Sequence, residues 1–430
     1  MQKTDPRYAA CKGILWDQLK PAMGCTEPIA IAYAAAVCRE VLGCMPEKVT
    51  AEVSGNILKN AKAVVVPNTH GRKGIEVACA AGIVAGRAER ELEVIAEVSD
   101  EERAAVDAYL EGKHITVQIM PESHVFDIRI TAEGSNHRAM ARIADSHTNI
   151  VDVELDGKTI RKGTCSTQTV DDPREEMLNV ETLVEFAETC DIEDVTEPLE
   201  RQLKYNCTIA QEGLLHEWGA AVGRTLLEAG DPEDVRLQAR AWAAAGSDAR
   251  MSGCELPVVI NSGSGNQGIT VTLPVWIYAK KYRASHERLL RALVISNLVA
   301  IHLKTRIGCL SAYCGAISAG CAAGAGISWL RYGSLEEIQH VIVNSVAILS
   351  GTICDGAKPS CAAKIACAVD AGILGWEMAQ RRREFRSGEG IVIKGVENTI
   401  RNVGQLGREG MRGTDEEIMR IMLGKNPEKR

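Results

Sequence analysis

Apolar positions recur at helical spacing from Arg7 to Leu42, through Ile14, Leu15 and Leu19 and again through Ile29, Ile31 and Val37. The run breaks at Lys20-Pro21-Ala22-Met23-Gly24-Cys25-Thr26-Glu27-Pro28, because proline lacks an amide donor and crowds the preceding turn. Thr26 is placed to cap the second helix, with Pro28 in its first turn. That sets Cys25 just before a helix N-terminus, where local dipoles favour a thiolate. From Lys48 to Ile160 the pattern turns mixed. Val49-Thr50-Ala51-Glu52-Val53 alternates like a strand, and Ile75 to Gly86 reads as an Ala-rich helix. Alternating runs follow at Ile115–Ile119, Val125–Ile130 and Ile150–Leu155, the last closed by Asp156-Gly157, a hairpin turn pair.

A polar stretch from Thr164 to Pro173 reads as a linker. Beyond it the chain is almost entirely helical to about Arg381. Val180–Cys190 is amphipathic, whereas Arg288–Leu303, Ser311–Leu330 and Leu335–Ser350 are increasingly apolar, and a helix apolar all round is buried. The expected fold class is α+β: a mainly α-helical bundle with a smaller inserted α/β domain containing a mostly antiparallel sheet. The expected units are 1–45, N-terminal helices carrying the Cys25 loop and packing with the helical domain; 46–165, the α/β domain; and 166–430, the helical domain. The charged tail from Gly424 onward reads as frayed.

Composition narrows the function. Hydrophobic residues make up 46% and charged residues 25%, an ordinary globular balance, and the net charge of −8 argues against nucleic acid or an anionic membrane as partner. Cys309 to Leu330 carries no charge, but it consists mainly of Gly, Ala, Ser and Cys, so a buried helix pair is expected and not a membrane span. The fifteen cysteines are the unusual feature. The opening residues, Met1 to Pro6, contain no apolar signal region, which points to a cytoplasmic protein whose cysteines serve as core filler, metal ligands or nucleophiles and not as disulfides. Cys38 and Cys79, in Ala-rich helical runs, are of the filler type.

Three places carry candidate chemistry. Gly263-Ser264-Gly265-Asn266-Gln267-Gly268 matches the dinucleotide fingerprint, but Ile269 to Pro274 follows it, a β-branched run that reaches proline where a helix should open. A loop holding a polar ligand such as a carboxylate is the better reading. Two segments rich in cysteine come next: Cys309, Cys314 and Cys321, then Cys354, Cys361 and Cys367. Cys354 to Cys361 has turn chemistry between two apolar helices, and Ser360 is placed to cap the second helix, with Cys361 in its first turn. Such thiols either converge on a soft metal or iron–sulfur cluster, or fill small gaps in a Gly/Ala-rich bundle. The third place is Cys25, whose polar neighbours Thr26 and Glu27 are more than core filler requires.

At these residues the chain resembles a known family. Met23-Gly24-Cys25-Thr26-Glu27-Pro28, Ser311-Ala312-Tyr313-Cys314-Gly315 and Ile353-Cys354-Asp355-Gly356-Ala357-Lys358 with Cys361 look like the L-cysteine desulfidases, relatives of the α part of iron–sulfur L-serine dehydratases. Ser54-Gly55-Asn56, His147-Thr148-Asn149-Ile150 and Gly263 to Asn266 extend the likeness over nearly the whole chain. The resemblance implies a [4Fe–4S] cluster held by Cys314, Cys354 and Cys361, with Cys309 as rival ligand, and no pyridoxal phosphate. It implies catalysis by Cys25 and β-elimination of L-cysteine to sulfide, pyruvate and ammonia. By motif, Lys358, Ser264, Asn266, Asn56 and His147 are candidate contacts to a small amino-acid substrate. L-serine as substrate, a non-catalytic metal- or cluster-binding protein, and a cluster-free scaffold are the alternatives. The apolar bundle is compatible with a homo-oligomer.

Overall fold

The computed structural model describes residues 1–121, 124–165, 172–308 and 310–424. The chain opens with α1 (Pro6–Gln18), the short strand β1 (Pro21–Met23) and α2 (Thr26–Leu42). A mixed region follows: β2 (Lys48–Val53), α3 (Gly55–Ala61), α4 (Ile75–Ala85), α5 (Asp100–Glu111), β3 (Ile115–Ile119), β4 (Asp127–Gly134), β5 (His137–Ala144), β6 (Ile150–Leu155) and β7 (Lys158–Lys162). The remainder is helical apart from one short strand. It comprises α6 (Val180–Thr189), α7 (Glu193–Leu215), α8 (Val222–Ala229), α9 (Val235–Met251), β8 (Pro257–Val259) and α10 (Gly265–Lys281). After these come α11 (His286–Ile307), α12 (Gly315–Leu330), α13 (Leu335–Leu349), α14 (Cys361–Gln380), α15 (Val396–Gln405) and α16 (Arg412–Met422). The class is α+β.

The six-stranded sheet has the order β3-β2-β4-β5-β6-β7, and only the β2–β3 pair is parallel. Asp156 and Gly157 both take positive φ between β6 and β7, as a two-residue hairpin turn requires. The turn before β5 uses Ser135 and Asn136 in the same region and lacks the glycine that would have flagged it in sequence. One face of the sheet is covered by α2, which packs on β4, β5 and α4. α1 instead packs on α6, α7 and α11. The Ala- and Ile-rich α2 is buried nearly all round and shares a core with the sheet and with residues of α7, α9 and α10.

In the helical half, α12 is buried along its length and ringed by α10, α11, α13 and α14. It is a single helix preceded by a loop, not the expected pair, because Gly308 ends α11 and the helix resumes only at Gly315. Small residues let α12 and α14 touch backbone to backbone: a Cβ on Gly320 would lie 2.3 Å from the Ala368 carbonyl oxygen. Of the expected linker, residues 166–171 lie outside the described residues, as do 425–430 of the tail. No helix among the described residues is long and apolar enough to cross a membrane.

Two expectations are overturned here. The glycine-rich segment does open a helix: α10 begins at Gly265 and continues through Pro274. Burial on nearly every side outweighs propensity, and the Thr270 and Thr272 hydroxyls bond back to the Asn266 and Gly268 carbonyls. Among the described residues β8 pairs only with antiparallel β1, whereas a dinucleotide unit sets its glycine-rich turn after a strand of a parallel sheet. Thr26 does not cap α2; it is the first helical residue, and Cys25 occupies the N-cap position.

Candidate active site

The β1–β8 pair brings the N-terminal loop to the helical half, fastened by the Ile260 amide donating to the Lys20 carbonyl. Gly263, at φ +75°, turns the chain so that its carbonyl accepts from Thr26 Oγ1 at 2.9 Å while His147 packs against the space a Cβ would fill. A bridge between Tyr313 and Ile353, with Cys354 N donating to the Ala312 carbonyl and Cys314 N to the Thr352 carbonyl, sets Cys314 beside Cys354. Cys361 opens α14. These segments enclose one cavity of about 110 Å³. Its walls include Cys25, His147, Ser264, Asn266, Cys314, Cys354 and Cys361, all singled out from sequence. Asn56 and Lys358 do not reach it. Asn60, one turn beyond Asn56, lines it, while Lys358 is turned onto the Asp355 carboxylate and Lys364 takes its place at the wall. Cys309 lies outside the described residues.

The N-termini of α2, α10, α12 and α14 all meet this cavity, through Cys25, Ser264, Cys314 and Cys361. Aligned peptide dipoles make such ends electropositive, and Arg250, Lys304 and Lys364 add positive charge to the wall. The Ser264 hydroxyl caps α10 by accepting from Gln267 N. Ser360 holds the corresponding position on α14, but its side chain makes no capping bond, since its backbone is already helical.

The thiols differ in acidity. Cys354 is driven down to about 6, first by its hydrogen bond from Cys314, against the cost of burial, with Lys59 and Lys304 assisting. Cys314 is pushed well up by the same bond and by burial, so the pair holds one proton. Burial also raises Cys361. Cys25 is pushed well above a free thiol, first by burial and then by the Glu27 carboxylate, with Arg250 opposing. The thiolate expected at that helix end is thus a neutral thiol, which donates to Glu27 Oε2 at 3.1 Å. His147 is depressed by burial and stays neutral, its Nε2 without a partner.

Glu27, Arg250 and Gln267 join the site without having been given roles from sequence. The signal for Arg250 was present: it is a lone cation in Ala243-Ala244-Ala245-Gly246-Ser247-Asp248-Ala249-Arg250-Met251, a stretch buried throughout. Away from the cavity, His124, Asp145 and Cys165 form a second group with metal-type donors within 4.8 Å of one another. Its members already bond together, His124 Nδ1 to Asp145 Oδ1 at 2.8 Å and Cys165 Sγ to His124 Nε2 at 3.4 Å.

The sequence profile described as serine dehydratase alpha chain matches residues 89–420. The chain is 54% identical to a UPF0597 protein of Desulfitobacterium hafniense (strain Y51), over 98% of both chains. It is 47% identical to a UPF0597 protein of Finegoldia magna, over 96% of this chain and 99% of that one. A UPF0597 protein of Shewanella baltica shares 37% identity, over 97% of this chain and 99% of its own. The chain belongs to the serine dehydratase alpha chain family, within its UPF0597 group.

Proposed function

We propose that this protein is a cytoplasmic iron–sulfur lyase that removes the sulfur of L-cysteine by β-elimination, without pyridoxal phosphate. The observation that supports this best is the meeting of Cys25 with Cys314, Cys354 and Cys361 at one cavity. The donor set suits the cofactor. Three thiols are soft ligands for iron, and four helix ends with nearby lysines offset the negative charge that thiolates and sulfide bring. Cys314, Cys354 and Cys361 would hold a [4Fe–4S] cluster. Such a cluster, when bound, supplies a Lewis-acidic iron with an open coordination position.

The chain's own residues supply the proton chemistry. Glu27 Oε2 takes the proton of the Cys25 thiol it already contacts, and the thiolate so formed takes the proton from Cα. The electron pair left behind forms the Cα–Cβ double bond as the Cβ–S bond breaks and sulfide departs. The enamine released tautomerises to an imine, and water replaces ammonia to give pyruvate. One cysteine and one water thus yield sulfide, pyruvate and ammonia. Thr26 holds the base in register by bonding both Glu27 and the Gly263 carbonyl. His147, neutral and buried, together with Ser264 and Asn266, offers polar contacts to the substrate.

The family description favours a second reading, in which L-serine is the substrate and water leaves, with the same base. Anaerobic reconstitution tests the class common to both. The protein should take up iron and acid-labile sulfide and release pyruvate from one of the two amino acids. Failure to hold iron, or release of pyruvate from neither, would exclude the reading.

A further inference from the structure

Arg250 closes α9 with only 3% of its surface exposed, and it lines the cavity. Its Nη1 donates to Asn266 Oδ1 at 3.1 Å, while its Nε has no partner. Among the described residues no carboxylate pairs with it. A buried guanidinium without a counter-ion is expensive, because the charge has left water and gained no opposite charge in return. Its planar fork is also the side chain best matched to a carboxylate, which it grips through two parallel bonds. Space for it comes from Gly265, where a Cβ would lie 2.3 Å from Arg250 Nε.

Gln267 stands on the same wall, 4% exposed, with its Oε1 unpartnered. It packs against Gly315, the residue after Cys314, where a Cβ would come within 2.8 Å of its Cδ. A buried carbonyl oxygen with no donor is a second unmet demand, opposite in sign to the first. An open cation and an open acceptor in one small cavity match the two ends of an α-amino acid zwitterion.

We infer that Arg250 and Gln267 recognise the α-amino acid itself, Arg250 binding the α-carboxylate and Gln267 Oε1 the α-ammonium. The ammonium half rests on the proposed lyase reading; the carboxylate half does not. This division of labour leaves the β-substituent as the part of the substrate presented to the cysteine cluster site. It also aids the chemistry, since pairing the carboxylate with a cation reduces the negative charge beside Cα as its proton departs. The pocket therefore accepts small zwitterionic amino acids and rejects the corresponding amines, such as cysteamine.

The test uses probes that carry no leaving group. Iron-loaded protein is titrated calorimetrically with L-alanine, propionate and ethylamine. Wild type should bind L-alanine and propionate and not ethylamine. Arg250→Met should weaken L-alanine and propionate alike by about 10- to 100-fold, the range expected for losing a charge-assisted bond, with Arg250→Lys intermediate. Gln267→Met should weaken L-alanine and leave propionate unchanged. Should Arg250→Met fail to fold, Gly265→Ala crowds the same guanidinium, and the wild-type ligand series decides without any variant. Equal wild-type affinity for propionate and ethylamine, or unchanged L-alanine binding in Arg250→Met, would overturn the inference. Arg250-dependent binding with no amino acid turned over would keep the carboxylate site and sink the lyase. Cysteine turnover with KM unchanged in Arg250→Met would do the reverse.

Discussion

The Cys25 thiol, at the N-cap of α2, donates to Glu27 Oε2 at 3.1 Å, two residues along the chain and inside the same cavity wall. The contact pairs a thiol too buried to ionise alone with a carboxylate able to take its proton. Cys25→Ala is expected to retain cluster iron and lose turnover by about 10²- to 10⁴-fold, the range for removing a positioned base. Glu27→Gln should retain iron and slow turnover as well, since the amide cannot accept the proton. Iron analysis beside pyruvate release checks both; loss of iron from Cys25→Ala would make Cys25 a ligand.

Cys314, Cys354 and Cys361 behave differently. Replacing any one by serine should remove iron, acid-labile sulfide and activity together, because the hard hydroxyl is a poor substitute for a soft thiolate. Cys321→Ser serves as control. It lies inside the apolar helix α12, away from the cavity, where it donates to the Ile342 carbonyl, and should leave iron content unchanged.

Lys59, 1% exposed on its side chain, forms an ion pair with Asp415 of α16, whose other oxygen accepts from Ala312 N in the loop before Cys314. The C-terminal helix is thereby tied to both halves of the site. Lys59→Met leaves the partly buried Asp415 without its cation and should cost about 3 kcal/mol in denaturant unfolding. Adding Asp415→Leu should recover much of that stability without restoring the anchor on Ala312.

Asp248 of α9 is held at about 6 by burial, although one oxygen accepts from Gly223 N. Its folded pKa lies above the usual carboxylate value, so the native state is favoured while the group is protonated and loses stability as pH rises from about 4 through 6. Relative to wild type, Asp248→Asn should therefore gain about 2 kcal/mol between pH 4 and pH 7. Chemical denaturation at the two pH values checks the sign.

Much of the site could be read in the chain. The family resemblance at Cys314, Cys354 and Cys361 and the broken helix around Cys25 pointed to residues that share a cavity. The long apolar helices α11 and α13 announced themselves by period, and β6–β7 by its Asp-Gly turn. What escaped depends on tertiary contact. The strand β1 has three residues, too short for any pattern, yet by pairing with β8, whose Val258-Val259-Ile260 reads as strand-like, it docks the Cys25 loop. α10 runs through Pro274 because burial outweighs a lost hydrogen bond. Lys358 and Lys364 both pair with the Asp355 carboxylate, and only side-chain placement shows that Lys364, not Lys358, meets the cavity. Arg250 was given no role from sequence, although it is a lone cation in an Ala-rich stretch that proves to be buried throughout.

The most direct test of the central claim is sulfide and pyruvate release from L-cysteine, measured anaerobically on iron-loaded wild type and Cys25→Ala, with L-serine in parallel. The account predicts equal amounts of sulfide and pyruvate from cysteine in wild type and neither in Cys25→Ala. Pyruvate from serine alone, or undiminished sulfide release by Cys25→Ala, would contradict it.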